Sequence, residues 1–477
     1  MQYTIDVKQG KKYDIIVCGG GTAGVFAAIA AARQGASVLL IERTFSVGGM
    51  LTVGNAGITK FTEHCKDVDK YKSEVLDSLA VNPQKVQVVG GLAKEYVKRM
   101  IHNNTAVGTS GEAGSYVFTD RYQAQLTLIE MLEEAGVEIL YDTRVCMVNT
   151  SDGKVTSVVT NNKDGFTGFT ADRYVDATGD ADVAYLAGVP CRKGATALDV
   201  AEGGASKVGE MVQMGAMYRV RTVDFDRLFE YLNDNTDRFF QHKFGVMSLE
   251  DAQHSYHKGQ MCVFSVLVNS PDAGLYPVQV YNQPQKDEAI LLDRYCGAVK
   301  DGLNAFELSD AQNILQKGAS VSLSYLKSIP GFENAKILHV PDVGVRETRH
   351  IDGEYILTSI DVVSGRDFED SIACGGHPVD IGRTLPPEIE HMDMNHWRFH
   401  IPYRIMLPQN IDNLIVAGRS VSTTCIAWGA IRPTAQCMAM GEAAGAAAAV
   451  SIKDNANFRD VDIRKLQKTL TDNGAII

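Results

Sequence analysis

The sequence predicts a protein of the α/β class, in which a parallel sheet covered by helices is joined to an inserted domain of the α+β class. Three observations support this prediction: an apolar strand followed by a glycine-rich turn and a helix near the N-terminus, a similar strand and small-residue helix near the C-terminus, and a middle region rich in strand-like runs. Strands that alternate with helices are typical of a parallel sheet. Because a chain of 477 residues exceeds the usual size of one hydrophobic core, we expect two domains.

The composition is that of an ordinary globular protein and disfavours several classes of partner. The formal net charge is −12 at pH 7, whereas nucleic acids and anionic membranes both require a basic surface. The nine cysteines show no CxxC or other metal-type spacing, so we expect reduced thiols, no metal site and a cytoplasmic location. Residues 1–14 contain no apolar core of a signal peptide, and no stretch reaches the ~20 apolar residues of a membrane span. The composition therefore disfavours these partners and does not by itself indicate a function.

The first strand, turn and helix have the spacing of a dinucleotide-binding unit. Tyr13–Cys18 is a run of β-type residues that leads into the motif Gly19-x-Gly21-x-x-Gly24. In such a motif the first glycine permits a tight turn, the second lets the backbone approach a pyrophosphate, and the third lets the helix pack on the strand. The next strand finishes at Glu42, where a carboxylate accepts hydrogen bonds from a ribose. The predicted contacts of this unit are Gly19, Gly21, Thr22, Ala23, Gly24 and Glu42.

The residues that follow this strand indicate which dinucleotide the unit binds. Residues 42–52 read ERTFSVGGMLT, an ER…GGxxT pattern. At this point the sequence resembles the FAD-dependent oxidoreductases with a glutathione-reductase-type FAD domain, whose members carry labels that range from FAD-dependent oxidoreductase to xanthan lyase. The resemblance implies a Rossmann-type FAD-binding domain with a small antiparallel sheet, FAD as the cofactor, and cofactor contacts at Arg43, Gly49 and Met50.

Two further segments carry the same resemblance. Residues 175–180 (VDATGD) resemble the strand end beside the cofactor's pyrophosphate, and residues 413–420 (NLIVAGRS) resemble the start of the closing FAD-binding element. A helix that starts near Thr434, after Pro433, directs its positive end toward the flavin. The implied contacts, which include backbone contacts of Val145 with the adenine, are Val145, Thr178, Gly179, Asp180, Gly418, Arg419 and Thr434.

These segments lie at both ends of the chain, so the predicted FAD-binding domain is discontinuous. It comprises residues 1–190 and 395–477, and residues 191–394 form an inserted substrate domain. The insertion contains neither a second GxGxxG motif nor the paired cysteines of a disulfide reductase. We therefore expect no separate NAD(P)H domain.

Residues 340–404 contain the densest group of side chains suited to substrate binding and proton transfer. His377 follows a Gly-Gly turn that permits close approach to a ring, and a histidine with a pKa of about 6.5 can carry a proton. Arg346 can clamp an anionic substrate with two hydrogen bonds. The predicted catalytic residues are His377, Arg346, Arg349 and Arg404, and the further candidates are His350, His400 and Tyr403. We interpret Cys65 as an inert buried thiol rather than a residue beside the flavin.

The sequence as a whole predicts an FAD-dependent oxidoreductase that transfers a hydride between a small organic substrate and flavin N5. Oxidase, dehydrogenase and reductase directions all fit the sequence, as do covalent and non-covalent attachment of the flavin. Two other interpretations stay open: a non-catalytic or electron-relay flavoprotein subunit, and a flavoprotein that modifies a macromolecule such as tRNA. The expected partners are the small-molecule substrate and an electron acceptor or donor, and the expected assembly is a monomer or a homodimer.

Overall fold

The computed structural model describes residues 4–59, 62–64, 85–108, 116–240, 247–376, 379–382, 385–393 and 398–477. In chain order the strands are β1 (Val7–Cys18), β2 (Val38–Ile41), β3 (Ile58–Thr59), β4 (Thr62–His64), β5 (Lys85–Gln87), β6 (Ala106–Gly108), β7 (Tyr116–Thr119), β8 (Glu138–Leu140), β9 (Arg144–Ser151), β10 (Lys154–Asn162), β11 (Gly165–Asp176), β12 (Cys191–Lys193), β13 (Met214–Gly215), β14 (Tyr218–Arg221), β15 (Phe239–Phe240), β16 (Val263–Ser270), β17 (Gly274–Asn282), β18 (Glu288–Leu292), β19 (Gly297–Ala298), β20 (Lys336–His339), β21 (Arg349–Ile351), β22 (Ser371–Gly375), β23 (Phe399–Pro402) and β24 (Leu414–Val416). The α-helices are α1 (Thr22–Arg33), α2 (Gly91–His102), α3 (Arg121–Glu134), α4 (Asp182–Leu186), α5 (Ala197–Ala201), α6 (Phe225–Asp234), α7 (Leu249–His257), α8 (Ala305–Leu326), α9 (Ser359–Val363), α10 (Pro387–Asp393), α11 (Cys425–Ile431), α12 (Thr434–Lys453) and α13 (Ile463–Asp472).

The largest sheet combines a parallel half with an antiparallel half. Its parallel strands lie in the order β8-β2-β1-β11-β24, so the chain starts in the middle of the sheet and winds outward in both directions. β11 pairs with β24 near its C-terminal end and with β10 near its N-terminal end, where β9, β10 and β11 form an antiparallel meander. The predicted fold class, a Rossmann-type domain with a small antiparallel sheet and an added α+β part, is confirmed.

β1 is longer than the sequence predicts. The apolar run starts at Tyr13, but the strand begins at Val7 and its first residues are exposed and mostly polar. The long strand β11 pairs with this extension, and Val7 lies opposite Phe166. Backbone pairing with a long neighbour therefore extends β1 into a region where the hydrophobic pattern contains no strand signal.

Glycines bring α1 into backbone contact with the elements on both of its sides. A Cβ on Gly24 would lie 1.8 Å from the carbonyl oxygen of Gly19, in the turn before the helix. On the other side, a Cβ on Gly441 of α12 would lie 2.1 Å from the carbonyl oxygen of Ala23, and a Cβ on Gly445 would lie 2.0 Å from another carbonyl oxygen of α1. None of these positions accepts a side chain, so α1 is held between the turn and α12.

α12 is rich in alanine and glycine and is buried along nearly its whole length. Small side chains allow this helix to lie close to α1 and to the sheet. Among the residues that the structure describes, no helix is long and apolar enough to cross a membrane.

The middle of the chain forms a second sheet with its own core. Its strands lie in the order β15-β16-β17-β18-β14-β20, all paired antiparallel, and α7 and α8 contact β16. Phe225, Phe229 and Phe264 are fully buried in this core, which Phe118 of β7 also joins. The strand-like runs GAMYRVRTV and GLYPVQVYN contain β14 and β17, and the run QMCVFSVLV covers most of β16. The two predicted helices of this region are α6 and α8.

The chain returns to the first core after β20. Ile351, Leu357, Val362 and Ile372 are buried in the same cluster as the residues of β1 and α1. The last part of the segment 191–394 therefore packs against the nucleotide-binding layer, and the division of the chain into two domains stays a prediction.

Replacing Gly441 with alanine tests the contact between α12 and α1. Alanine has a higher helix propensity than glycine by about 1 kcal/mol, but its Cβ would meet the Ala23 oxygen at 2.1 Å. Because that obstacle is backbone, we expect overpacking to dominate and the free energy of unfolding to fall by about 2 kcal/mol, measured by denaturant titration. Ala439→Ser, which adds one atom at a half-buried position of the same helix, is the control. A Gly441→Ala protein as stable as the wild type would contradict the contact.

Candidate functional site

The glycine-rich turn leaves an open space above the N-terminus of α1. Gly19 has a φ of 99°, which favours glycine, and its N–H donates to the Ile41 oxygen at 2.8 Å. A Cβ on Gly21 would have no atom within 4 Å. The helix starts at Thr22, followed by Ala23, and the first N–H groups of a helix have no partner within it. The turn therefore fits the pyrophosphate of a dinucleotide.

Glu42 closes this turn from the end of β2. It is 7% exposed, and one of its carboxylate oxygens accepts a hydrogen bond from the Gly20 N–H at 2.7 Å. The other oxygen accepts hydrogen bonds from the Thr44 N–H at 2.7 Å and the Thr44 hydroxyl at 2.8 Å. A carboxylate has about four acceptor sites, so capacity remains for a ribose hydroxyl. Arg43, the next residue, is exposed.

Residues 48–57 connect the turn with the start of α12. At one end of this segment, a Cβ on Gly49 would lie 3.2 Å from the Cα of Gly21. At the other end, the hydroxyl of Thr434 donates to the Gly57 oxygen at 3.0 Å. One continuous segment thus leads from the phosphate-binding turn to a helix N-terminus. This arrangement fits an extended cofactor such as FAD.

An ion pair joins the ends of β11 and β24. Arg419 donates to Asp180 at 2.5 Å, and the Thr348 hydroxyl donates to the same carboxylate at 2.8 Å. Thr178 donates to Asp176, a buried acid whose pKa burial raises to about 6. The Nη1 atom of Arg419 is buried and has no hydrogen-bond partner among the described residues. This atom therefore suits an anionic oxygen of a ligand.

Three more predicted cofactor contacts lie around this assembly. Gly179 and Gly418 have φ angles of 78° and 94°, which favour glycine at both strand ends. Val145 is in β9, two residues after Thr143, whose N–H donates to the backbone oxygen of Glu42 at 3.0 Å. Val145 therefore lies on the side of the site where Glu42 would hold a ribose.

Arg346 has no ion pair or hydrogen bond among the described residues, unlike the other predicted catalytic arginines. Burial lowers its pKa, Arg432 lowers it further, and Asp380 raises it. Arg432 forms its own ion pair with Asp380 at 2.6 Å, so positive charge is in excess. Close by in the chain, a Cβ on Gly344 would lie 4.0 Å from Cε of Met50, which belongs to the segment 48–57. Arg346 therefore fits an anionic group near that segment.

Arg349 and Arg404 are held by acids. Arg349 pairs with Asp182 at 2.9 Å and lies over the ring of Tyr185, 4.2 Å from the ring centroid. Arg404 donates to Asp370 at 2.9 and 3.1 Å, and that hydrogen bonding raises its pKa. These contacts favour positioning roles for both arginines, and their predicted catalytic roles stay predictions.

His377 and Cys65 lie outside the described residues. Tyr403 is fully buried, and its hydroxyl donates to a backbone carbonyl at 3.0 Å. His350 lies 3.2 Å from a backbone carbonyl, and His400 lies 2.8 Å from an Asp367 oxygen. The three described side chains are thus engaged in structural contacts.

A narrow cleft of about 10 Å³, with room for about one water molecule, lies beside the segment 48–57, and no sequence motif predicts it. The polar part of its lining consists mainly of Asn55, Arg121, Arg219 and Gln283. Arg219 stands in an apolar strand, and the other three belong to segments with no recognisable motif. The one local signal is Asn55, whose φ of 60° is uncommon outside glycine, and this signal is visible only in the structure.

Comparisons with known proteins support FAD as the cofactor. The model of the family described as FAD dependent oxidoreductase matches residues 14–470. The chain is 27% identical over 164 residues to vinyl phenol reductase of Lactiplantibacillus plantarum, a match that covers 31% of this chain and 33% of that protein. It is 29% identical over 138 residues to digeranylgeranylglycerophospholipid reductase 1 of Methanococcoides burtonii, covering 28% of this chain and 29% of that protein. The match thus spans about a third of the length of these curated relatives.

Two solved structures align with most of the chain at low sequence identity. A geranylgeranyl bacteriochlorophyll reductase-like protein of Thermoplasma acidophilum aligns with 97% of this chain and 84% of its own, with a TM-score of 0.44 and 14% identity. The p-nitrophenol 4-monooxygenase of Pseudomonas putida aligns with 98% of this chain and 89% of its own, with a TM-score of 0.46 and 12% identity.

Glu42→Gln tests the assignment of the turn. An amide offers one acceptor oxygen and directs its NH₂ toward one of the N–H donors, and a lost hydrogen bond to a charged group costs about 1.5–3 kcal/mol. We expect the dissociation constant for FAD to rise about 10- to 100-fold, measured by fluorescence titration of the apoprotein. Glu138→Gln changes an exposed acid on the neighbouring strand β8 and is the control. Unchanged FAD affinity in Glu42→Gln would count against a role of Glu42 in cofactor binding.

Proposed function

Because the chain belongs to the FAD dependent oxidoreductase family, we propose that it transfers a hydride between a small organic substrate and N5 of its FAD. Membership of the family makes FAD the cofactor and oxidoreduction the class of reaction. We base the proposal of hydride transfer on the position of the segment 48–57. This segment leads from the phosphate-binding turn to the start of α12 and has a cleft beside it.

We assign each part of the cofactor to residues whose geometry suits it. The turn and Arg419 Nη1 suit the pyrophosphate, and Glu42 suits the ribose. We assign Arg43 and Val145 to the adenine. The N-terminus of α12 provides positive potential for the reduced flavin ring. The full set of proposed cofactor contacts is Gly19, Gly21, Thr22, Ala23, Gly24, Glu42, Arg43, Gly49, Met50, Val145, Thr178, Gly179, Asp180, Gly418, Arg419 and Thr434.

Arg346 is the residue that we propose to hold an anionic group of the substrate near the flavin. Its guanidinium is partly buried, and its one acidic neighbour that affects its pKa, Asp380, is already paired with Arg432. Arg432 lies over the ring of Trp428, 5.0 Å from the ring centroid, and is thereby fixed in place. An anionic substrate compensates the excess positive charge of these two arginines.

We also propose a cytoplasmic enzyme that acts as a monomer or homodimer with a separate electron acceptor or donor and no nucleic acid. The eight described cysteines are all free thiols, and six of them are buried. The net charge of −12 disfavours a nucleic-acid partner.

Spectroscopy of the purified protein tests the proposed function. We expect flavin absorbance bands and release of FAD on acid precipitation, unless the flavin is covalently attached. Anaerobic titration with sugars, hydroxy acids and NAD(P)H should identify a compound that bleaches these bands. Deuterium at the reacting carbon of that compound should slow the bleaching, because the C–H bond breaks in a hydride transfer. If the rate of the chemical step is measured by itself and deuterium does not slow it, the result would count against hydride transfer.

A pair of arginine variants separates a substrate-binding arginine from a positioning one. We expect Arg346→Met to lower kcat/KM for flavin reduction by the identified compound about 10- to 100-fold, because the anionic group loses a charged partner. Arg404→Met removes an ion pair in which the arginine side chain is 48% exposed, and it should change the same constant by less than about twofold. FAD content, measured by absorbance, should equal that of the wild type in both variants. Equal losses in the two variants would contradict the assignment of Arg346.

A further inference from the structure

Residues of α1, α2, α12 and α13 line a cavity of about 450 Å³. A volume of this size is within the range of small-molecule sites. None of the lining residues is among the proposed cofactor contacts. The apolar part of the lining consists of Ala30, Leu92, Ala446 and Leu470. The cavity is therefore separate from those contacts and large enough for a second ligand.

Glu442 of α12 is a buried acid in the lining of this cavity. It is 3% exposed, and its Oε2 accepts a hydrogen bond from the Leu92 N–H at 2.9 Å. A Cβ on Gly91 would lie 2.3 Å from Oε2 and 2.6 Å from Oε1, so the glycine leaves room for the carboxylate. In the described part of the chain, Oε1 accepts no hydrogen bond. Buried carboxylates are nearly always fully engaged, so Oε1 indicates a donor from a ligand.

No cation of the described residues pairs with Glu442. The charge of Arg33 lowers the pKa of this acid, but Arg33 donates to Glu95 at 2.5 and 2.9 Å. Burial raises the pKa of Glu442 to about 7, and the charge of Glu95 raises it as well. A buried negative charge is unfavourable unless a cation compensates it. A ligand with a positive group would supply that cation.

Lys94 adds a positive group to the lining of the same cavity. It is the fourth residue of α2, and its side chain forms no ion pair or hydrogen bond with the part of the chain that the structure describes. Lys98, one turn further along this helix, also lines the cavity and is exposed. The cavity thus presents the acid Glu442 and the base Lys94, which are not paired with each other.

We propose that this cavity binds a small zwitterion with an apolar side chain, of the class of the apolar amino acids, whose ammonium group donates to Oε1 of Glu442 and whose carboxylate pairs with Lys94. A simple anion would meet the carboxylate of Glu442, and a simple amine would leave Lys94 without a partner. A ligand with both charges compensates both residues. Its apolar side chain would cover the apolar part of the lining.

This site is independent of the hydride transfer proposed above. Substrate oxidation or reduction takes place beside the flavin, whereas the cavity contains no proposed cofactor contact. The inference therefore concerns binding alone, and its test needs no turnover.

The test compares three compounds that share one carbon skeleton. Leucine carries both charges, isoamylamine lacks the carboxylate, and isocaproate lacks the amino group. Binding of each compound to the FAD-loaded protein is measured by isothermal titration calorimetry at pH 8. We expect isoamylamine and isocaproate each to bind about 10- to 100-fold more weakly than leucine, because each loses one hydrogen-bonded charge.

Two variants assign each charge of the ligand to its residue. Glu442→Gln keeps an acceptor for the Leu92 N–H but removes the charge, so leucine and isocaproate should then bind with similar affinity. In Lys94→Met, leucine and isoamylamine should bind with similar affinity for the same reason. Glu130→Gln and Lys317→Met, which change exposed residues of α3 and α8, are the matched controls and should bind leucine like the wild type. FAD content should be the same in all five proteins.

The pH dependence of binding gives a second readout for Glu442. Its pKa of about 7 means that leucine should bind about tenfold more weakly at pH 6 than at pH 8, because the ammonium group needs the ionised acid. The other charged residues of the lining are Arg33, Glu95, Lys94 and Lys98. The ion pair between the first two raises the pKa of the arginine and lowers that of the acid, away from this range. Glu442→Gln should abolish the pH dependence.

Three results would overturn the inference: no heat of binding with leucine at millimolar concentration, equal affinity for the three compounds, or unchanged leucine binding in Glu442→Gln. Isoamylamine that binds as tightly as leucine would assign the cavity to a simple amine and would also contradict the zwitterion. Binding in the expected order, with the expected loss in both variants, supports the inference.

Discussion

Backbone contact between α1 and its two neighbours is the constraint on which the rest of the structure depends. α1 comes from the beginning of the chain and α12 from its end. Gly24 leaves no Cβ where α1 meets the turn, and Gly441 and Gly445 leave none where α12 meets α1. Packing at this distance fixes the position of α12 along α1. The start of α12 is thereby placed where the Thr434 hydroxyl reaches the Gly57 oxygen, at the end of the segment that begins beside Gly21. A cofactor site made from both ends of the chain follows from this packing.

Some arginines of the site form ion pairs with acidic side chains, and others do not. Arg349 and Arg404 pair with acids and tie neighbouring segments together. Arg121 and Arg346 form no ion pair among the described residues; burial lowers the pKa of each, and the more distant charges of Asp342 and Asp380 raise the pKa of Arg121 and of Arg346, respectively. Burial of a cation without a partner is unfavourable, and an anionic ligand removes that cost. This difference between paired and unpaired arginines is the basis on which we propose that Arg346 holds an anionic group of the substrate.

Residues of both hydrophobic cores line the cleft: Leu51 belongs to the first core, and Phe118 and Ile290 belong to the second. Asp120 caps α3 by accepting a hydrogen bond from the Gln123 N–H, and its other oxygen accepts one from Gln285. Gln285 in turn accepts a hydrogen bond from Arg219 of the second sheet. This chain of hydrogen bonds joins a helix of the nucleotide-binding layer to the substrate-side sheet. It holds Arg121 and Arg219 on the same cleft.

The sequence by itself determined the fold class and the family's cofactor, and it indicated most of the proposed cofactor contacts. A nucleotide-binding turn is local, so the motif from Gly19 to Gly24 and the acid at Glu42 are readable from spacing alone. Only the tertiary structure decided which of the predicted arginines are paired, and only it brought Asn55, Arg121, Arg219 and Gln283 to one cleft. It also extended β1 through pairing with β11. The physical reason is the same in each case: these contacts join residues far apart in the chain, and no local periodicity or spacing encodes which distant side chain will be the partner.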